Sequence, residues 1–207
     1  MSVAAIILAA GRGTRFAGTP KMLAEYDGQS FVRRAAEAAL GGGAEPVIAV
    51  LGHEADRVRR ALAGLDVILV PNPAYGEGLS TSLRAGFAAL PDGTEAALVL
   101  LGDMPLVGPD LVAGLLAAWR EAGRPTALVP THRGRRGNPV LLSGRLAPEI
   151  ARLSGDAGAG PLLRGREDVV EIEVNTAAVT EDVDTAEALE RLRHADQAST
   201  TPFRIAT

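Results

Sequence analysis

Val3-Ala4-Ala5-Ile6-Ile7-Leu8-Ala9-Ala10-Gly11-Arg12-Gly13-Thr14-Arg15 is the stretch that decides the fold. It starts as an unbroken apolar run and ends in two glycines two residues apart. An unbroken run, rather than an alternating one, marks a strand buried on both faces. The glycines permit a sharp turn whose backbone N–H groups can converge on an anion. Arg15 and Lys21 add positive charge beside that turn, and small side chains at Ala9 and Ala10 leave room for a flat base. An ordinary strand-to-helix turn accounts for the same glycines equally well. Two phosphate-binding fingerprints do not fit. A Walker A loop, GxxxxGK[ST], is missing, and Phe16 stands where a dinucleotide fingerprint has its third small residue.

Working outward, short apolar runs alternate with amphipathic stretches. The pattern predicts strands over 3–8, 47–51, 67–70, 97–101, 126–130, 139–142 and 169–174. Helices are predicted over 30–40, 54–63, 80–90, 109–122 and 185–193, with short ones over 144–153 and 161–165. Ser30 reads as a helix N-cap, Gly41-Gly42-Gly43 as a stop, and Pro109 as a first-turn proline. Alternating acids over 169–174 place that strand near an edge. The alternation implies a single-domain, Rossmann-like three-layer α/β sandwich with a mostly parallel sheet. The expected domain covers 1–194, followed by a frayed tail over 195–207. In such folds ligands sit beyond the carboxyl ends of the strands, so those junctions carry the functional reading.

Composition narrows the classes. A chain of 207 residues, 47 % hydrophobic, fits one domain with a sizeable core. The absence of cysteine excludes disulfides, thiolate catalysis and Cys-ligated metal sites, and is compatible with an expected cytoplasmic location. The apolar run over 3–10 has no basic region before it and is too short to span a bilayer. A net charge of −4, with no basic block or aromatic platform, argues against nucleic acid and membrane partners. The 21 basic residues are 20 arginines and one lysine, Lys21. A chain that writes Arg wherever either base serves keeps a Lys where a compact ammonium is needed.

The remaining strand ends carry polar groups. Asp103 follows the run Leu98-Val99-Leu100-Leu101-Gly102, too far before the next helix for capping to explain it well. The segment 72–82 contains Gly78 and Ser80, placed either to admit a nucleotide base or to form a glycine loop with Ser80 capping the next helix. Thr180-Glu181-Asp182-Val183-Asp184-Thr185 offers a second acidic cluster, in which Asp184 or Thr185 also suits an N-cap. Arg133, Arg135 and Arg136 form a basic turn ahead of Asn138. His53, His132 and His194 are scattered and read as non-catalytic.

LAAGRGTRFAGTPKML, residues 8–23, resembles the signature of the MobA-like nucleotidyltransferase family, LAAG-x-G-x-R-M with a lysine a few residues on. Phe16 replaces the usual Met, and Lys21 stands six residues after Arg15, with Ala17-Gly18-Thr19-Pro20 among the residues between them. The string GDMP at 102–105 is similar to the metal-binding signature of MobA-like proteins, and with GNP at 137–139 and GDAG at 155–158 the chain most resembles the cytidylyltransferase, MocA-like group. The resemblance runs from Leu8 to about Thr185. It implies a nucleotide-diphospho-sugar transferase-like fold and an enzyme moving CMP from CTP to the phosphate of molybdenum-molybdopterin. It implies Mg²⁺ on Asp103 and Asp184, with nucleotide held by Leu8, Ala9, Ala10, Gly11, Gly13, Arg15, Lys21, Gly78 and Ser80. Lys21, Arg15 and Asp103 would be catalytic. Ser82, Asn138 and Asp156 would face a phosphorylated pterin acceptor, and a molybdenum hydroxylase apoenzyme is a possible partner. Ala10, where guanylyl members carry glycine, favours CTP. Alternatives are GTP or a sugar or polyol phosphate as substrate, an NAD(P)H-dependent oxidoreductase, and a cofactor-delivery accessory. A missing dinucleotide fingerprint and the non-acidic Leu51-Gly52-His53 weigh against the oxidoreductase.

Overall fold

The computed structural model describes residues 2–13, 20–183, 185–196 and 205. Strand β1 (Val3–Ala9) is buried along its whole length. Its side chains alternate between two cores, as a period of two requires. Val3, Ala5, Ile7 and Ala9 join one apolar cluster, and Ala4, Ile6, Leu8 and Ala10 join the other. The first cluster takes its cover from α1 (Phe31–Gly41), α2 (Ala55–Ala61) and α4 (Pro109–Glu121). The second is covered by α3 (Leu79–Ala88), α5 (Ala147–Ile150) and α6 (Gly160–Leu163). The expected three layers are therefore present.

The other strands are β2 (Glu25–Tyr26), β3 (Gln29–Ser30), β4 (Val47–Leu51), β5 (Ile68–Pro71) and β6 (Ala96–Leu101). They continue with β7 (Ala127–His132), β8 (Arg135–Arg136), β9 (Val140–Ser143) and β10 (Val169–Glu173). The main sheet runs β10-β7-β9-β6-β1-β4-β5, with β8 paired to β7. Pairings β1·β4, β1·β6, β4·β5 and β7·β10 are parallel. Strand β9 opposes both β6 and β7. Only residues 133–139 link β7 to β9, too few for a helical crossover, so the strand must return antiparallel. That reversal carries Gly137 and Asn138 to the end of the sheet where β1 and β6 finish.

The chain moves outward from β1 through β4 to β5 and then crosses back to β6 on the other side of β1. The crevice between β1 and β6 is thus the topological switch point, where ligands of open α/β sheets bind.

Several boundaries differ from those expected. The segment 144–153 is a 3₁₀ turn, Gly144–Leu146, followed by the short α5, not one helix. The β2–β3 hairpin was not foreseen, although Asp27-Gly28 is a two-residue turn signal. Both positions have positive φ, as a type I′ turn demands. The hairpin places Tyr26 under the guanidinium of Arg34, 4.9 Å from the ring centroid, and in a third cluster with Phe31, Val183 and Leu189. Leu189 belongs to α7 (Ala186–Asp196), whose N-terminus Thr185 caps by accepting from Ala188 N–H at 3.1 Å. Ile205 bridges Val174 and packs on the larger core. No described helix is long and apolar enough to cross a membrane.

Asp168 joins the start of β10 to its neighbours. It accepts from Arg166 at 2.9 Å and from Thr126 Oγ1 at 2.7 Å, and these partners hold its carboxyl well below the usual range. A depressed native pKa stabilises the fold above the unfolded value, about 3.9, and the contribution is lost as pH falls through the native one. Asp168→Asn should therefore show a shallower fall of melting temperature between pH 4 and pH 2 than the wild type, about 4 being the unfolded reference.

Candidate active site

The two sides of the switch-point crevice are joined by an ion pair. Lys21 opens a 3₁₀ turn, Lys21–Leu23, and is only 6 % exposed. Its Nζ donates to Asp103 Oδ2 at 2.6 Å. Gly13 lies directly over it with φ +52°, and a Cβ there would stand 2.4 Å from Lys21 Cβ. The second glycine of the loop is thus needed as much for seating Lys21 as for turning the chain. Asp103 stands just past β6, where its Oδ1 is buried and has no hydrogen-bond partner among the described residues. A buried carboxylate oxygen left bare is costly unless something positive occupies the space beside it.

Asp103 borders a cavity of about 320 Å³. Leu8, Ala10, Gly11, Gly78, Ser82 and Asp156 border it too. Six of the residues singled out from sequence thus share one hollow with Asp103. Ala9 does not, because its side chain alternates into the opposite core. Gly13 and Lys21 are not among the residues that border it. Arg15 and Asp184 lie outside the described residues. Val183, immediately before Asp184, donates its N–H to the Asp103 carbonyl at 3.1 Å, so the acidic segment runs past Asp103.

Asn72 organises the opposite wall. It is buried, and its amide donates to Thr81 Oγ1 at 2.9 Å and to Ser82 Oγ at 3.0 Å. Its Oδ1 accepts from Ala74 N–H at 3.1 Å. The Asn in the NP string thereby fixes both the loop and the serine ten residues on. Ser82 consequently borders the cavity that Asp103 also borders.

One expectation for this loop is corrected. Gly78, not Ser80, occupies the N-cap position of α3. The Ser80 side chain is fully buried with Oγ unpartnered among the described residues, and it does not line the cavity. Gly78 packs closely on a second loop. At φ +119° its Cα abuts the backbone of Gly155, and a Cβ would fall 2.3 Å from Gly155 C and O. Ser80 N–H donates to Gly155 O at 3.1 Å, which locks the two loops together and brings Asp156 to the cavity. Gly78→Ala should cost about 1–3 kcal/mol from backbone strain alone. Urea melts would measure it, and a loss under about 0.5 kcal/mol, the level of an ordinary surface change, would contradict this packing.

A second cavity, about 310 Å³, adjoins the first and shares Leu8, Leu79 and Leu101 with it. Val99, Val129 and Leu142 floor it, and Arg136 and Asn138 are its polar lining residues. Asn138 is therefore near the site but in this neighbouring hollow. Arg136 reaches Glu171 at 2.7 Å. His132 is structural, its Nδ1 lying 2.9 Å from Val174 O. Sequence reasoning missed Arg12, Met22, Tyr75 and Gly76, all on the first cavity. Arg12 was the one with a signal, since it sits between the two glycines already singled out.

Among the described residues no cluster of three or more His, Asp or Glu could hold a metal ion. Asp103 with its bare Oδ1 is instead suited to a hard cation that takes most of its ligands from substrate oxygens.

Several known proteins are similar to this chain. A family profile, the MobA-like NTP transferase domain, matches residues 5–170. Nicotine blue oxidoreductase of Paenarthrobacter nicotinovorans is 36 % identical over 197 residues, 92 % of this chain and 96 % of that protein. The bifunctional protein GlmU of Pelobacter propionicus is 37 % identical over 153 residues, and the chain spans only 33 % of its length. Rv0371c of Mycobacterium tuberculosis superposes with a TM-score of 0.79 at 30 % identity, covering 94 % of this chain and 100 % of that one. A structure of Rv0371c in complex with manganese superposes with a TM-score of 0.77. A nucleotidyl transferase of Methanothermobacter thermautotrophicus gives 0.80 at 26 % identity, covering 93 % and 96 % of the two chains.

Proposed function

This chain belongs to the MobA-like NTP transferase family, and we propose that it transfers CMP from CTP to the phosphate of molybdenum-molybdopterin, releasing pyrophosphate. The observation that carries this reading is the Lys21–Asp103 pair at the switch point, with a bare carboxylate oxygen bordering a cavity walled by a glycine loop.

Asp103, with Asp184 as second carboxylate, would hold Mg²⁺; the solved manganese complex of Rv0371c supports a divalent cation in this fold. Bound there, the cation would offset negative charge on the phosphates. The loop from Gly11 to Arg15 cradles the triphosphate through backbone N–H groups. Lys21 faces the α-phosphoryl and the acceptor phosphate, where an ammonium counters charge that builds during transfer. An acceptor phosphate is already an anion, so no strong general base is required, and positioning supplies most of the rate. Ser82, held by Asn72, and Ala10 bound the space left for the base.

The second cavity supports a ring-bearing acceptor. A sugar or polyol phosphate would bury hydroxyls against leucine and valine, each unmet hydrogen bond costing about 1–3 kcal/mol. The flat faces of a pterin suit such walls, and Asn138 and Arg136 are placed for its polar edge.

A second reading, reduction of a substrate with NAD(P)H, draws on the 36 % identity to nicotine blue oxidoreductase. One experiment separates the two. Pyrophosphate release is measured with each of the four NTPs, molybdenum-molybdopterin and Mg²⁺, beside thermal shifts with CTP and with NADPH. Release with CTP, together with stabilisation by CTP and not by NADPH, is expected. A preference for GTP overturns the cytidylyl assignment. Stabilisation by NADPH alone favours the reductase. Stabilisation by the acceptor with no release favours a cofactor-delivery role, with a molybdenum hydroxylase apoenzyme as recipient.

A further inference from the structure

Arg12 has no part in the roles above. It sits between Gly11 and Gly13 in the loop after β1 and lines the first cavity. Its guanidinium carbon lies 5.6 Å from the centroid of the Tyr75 ring. Nη2 lies over the Cα of Gly76, where a Cβ would stand 3.2 Å away. Among the described residues, the contacts that hold Arg12 are thus a ring face and a glycine. The ring is itself braced. A Cβ on Gly52 would meet Tyr75 Cγ at 2.6 Å and Ala10 Cβ at 2.8 Å, so the bare Cα of Gly52 is what lets Tyr75 sit there.

This arrangement has a chemical consequence. An aromatic face attracts the guanidinium electrostatically but does not neutralise it or use its in-plane N–H donors. Those donors match two phosphate oxygens at once. Tyr75 comes from the loop after β5 and Arg12 from the loop after β1, so the pair spans one side of the cavity. Lys21 and Asp103 mark the place of the reacting phosphorus. Arg12, from the exposed part of the same loop, stands farther toward solvent.

We propose that Arg12, oriented by Tyr75, grips the outer phosphates of the bound nucleoside triphosphate. This rests on the nucleotidyl-transfer reading. In that reaction an oxygen of the acceptor phosphate forms a bond to the α-phosphorus. The bond from the α-phosphorus to the bridging oxygen breaks, and pyrophosphate leaves with that electron pair. Arg12 then counters the charge gained by the leaving group. Tyr75 is a positioning residue.

Calorimetric titration of the full chain with Mg²⁺ and CTP, CMP or inorganic tripolyphosphate tests this. Arg12 is exposed, so Arg12→Ala is expected to fold. Losing a charge-assisted bidentate contact should weaken CTP and tripolyphosphate about tenfold or more and CMP less than about twofold. Arg12→Lys should recover only part of the loss, because an ammonium lacks the planar fork. Tyr75→Leu should weaken tripolyphosphate, and Tyr75→Phe, which keeps the ring face, should recover most of it. An Arg12→Ala protein that binds CTP as tightly as the wild type overturns the proposal and leaves nucleotidyl transfer standing. A wild type that binds tripolyphosphate through Arg12 and none of the four NTPs supports the anion grip and defeats nucleotidyl transfer.

Discussion

Asp103→Asn is expected to lower pyrophosphate release by at least about 10²–10³-fold, the usual cost of removing an electrostatic group from a reacting centre. The carboxamide matches the carboxylate in size, so any loss reflects charge rather than shape. Its oxygen can still accept from Lys21 Nζ, now 2.6 Å from Oδ2. What disappears is the negative charge on an oxygen that has no described partner. Two readouts should change together. Turnover should collapse, and Mg²⁺ should no longer raise the melting temperature in the presence of CTP. The baseline melting temperature should fall as well, because Lys21 is buried and loses its counter-ion. Rates must therefore be taken well below the transition. An Asp103→Asn enzyme that keeps even a tenth of wild-type turnover at saturating Mg²⁺ would remove Asp103 from the metal site; about tenfold is far less than an essential charge contributes.

Lys21→Arg should be nearly as damaging, although it preserves charge. A loss of at least about 10²-fold in turnover is expected. Two features argue against tolerance. Lys21 is 6 % exposed, and Gly13 packs directly on the start of its side chain. Forcing a larger side chain into such a space costs about 1–3 kcal/mol. A planar fork also cannot stand between two phosphates as a compact ammonium does. Lys21→Met serves as the comparison, since it keeps length and removes charge. It leaves Asp103 without its cation, and breaking a buried pair from one side costs about 3–5 kcal/mol. Turnover of Lys21→Arg within twofold of wild type would mean that any cation suffices there. The single lysine among 21 basic residues would then reflect composition alone.

The glycine loop was legible because each of its signals is local. An apolar run, two glycines and a following Arg and Lys lie within residues 3–21, and backbone chemistry alone relates them to an anion. Asp103 was legible for the same reason, as a carboxylate delivered at a strand end. The pairing of Lys21 with Asp103 was not, since 82 residues separate them and only the adjacency of β1 and β6 brings them together. For Gly78 and Ser80 two explanations of a glycine-serine loop look alike in sequence. What distinguishes them is the backbone of Gly155, which no local pattern can announce. Asn138 was read as part of the site on a three-residue string. Its actual place in a neighbouring apolar hollow depends on β9 running antiparallel.

By itself the sequence determined the α/β class, the layers and most strand positions. Apolar periodicity and glycine punctuation are written residue by residue, and burial on both faces leaves little alternative to a parallel sheet. It also singled out the glycine loop and the carboxylate that the structure places on one cavity. Only the tertiary structure decided that Lys21 is buried on Asp103 and that Asn72 holds Ser82. It alone set Arg12 on Tyr75 and opened a second, apolar cavity beside the first. Each of these is a contact between segments far apart in the chain. Such contacts follow from strand order and loop packing, so they exist only once the sheet has assembled.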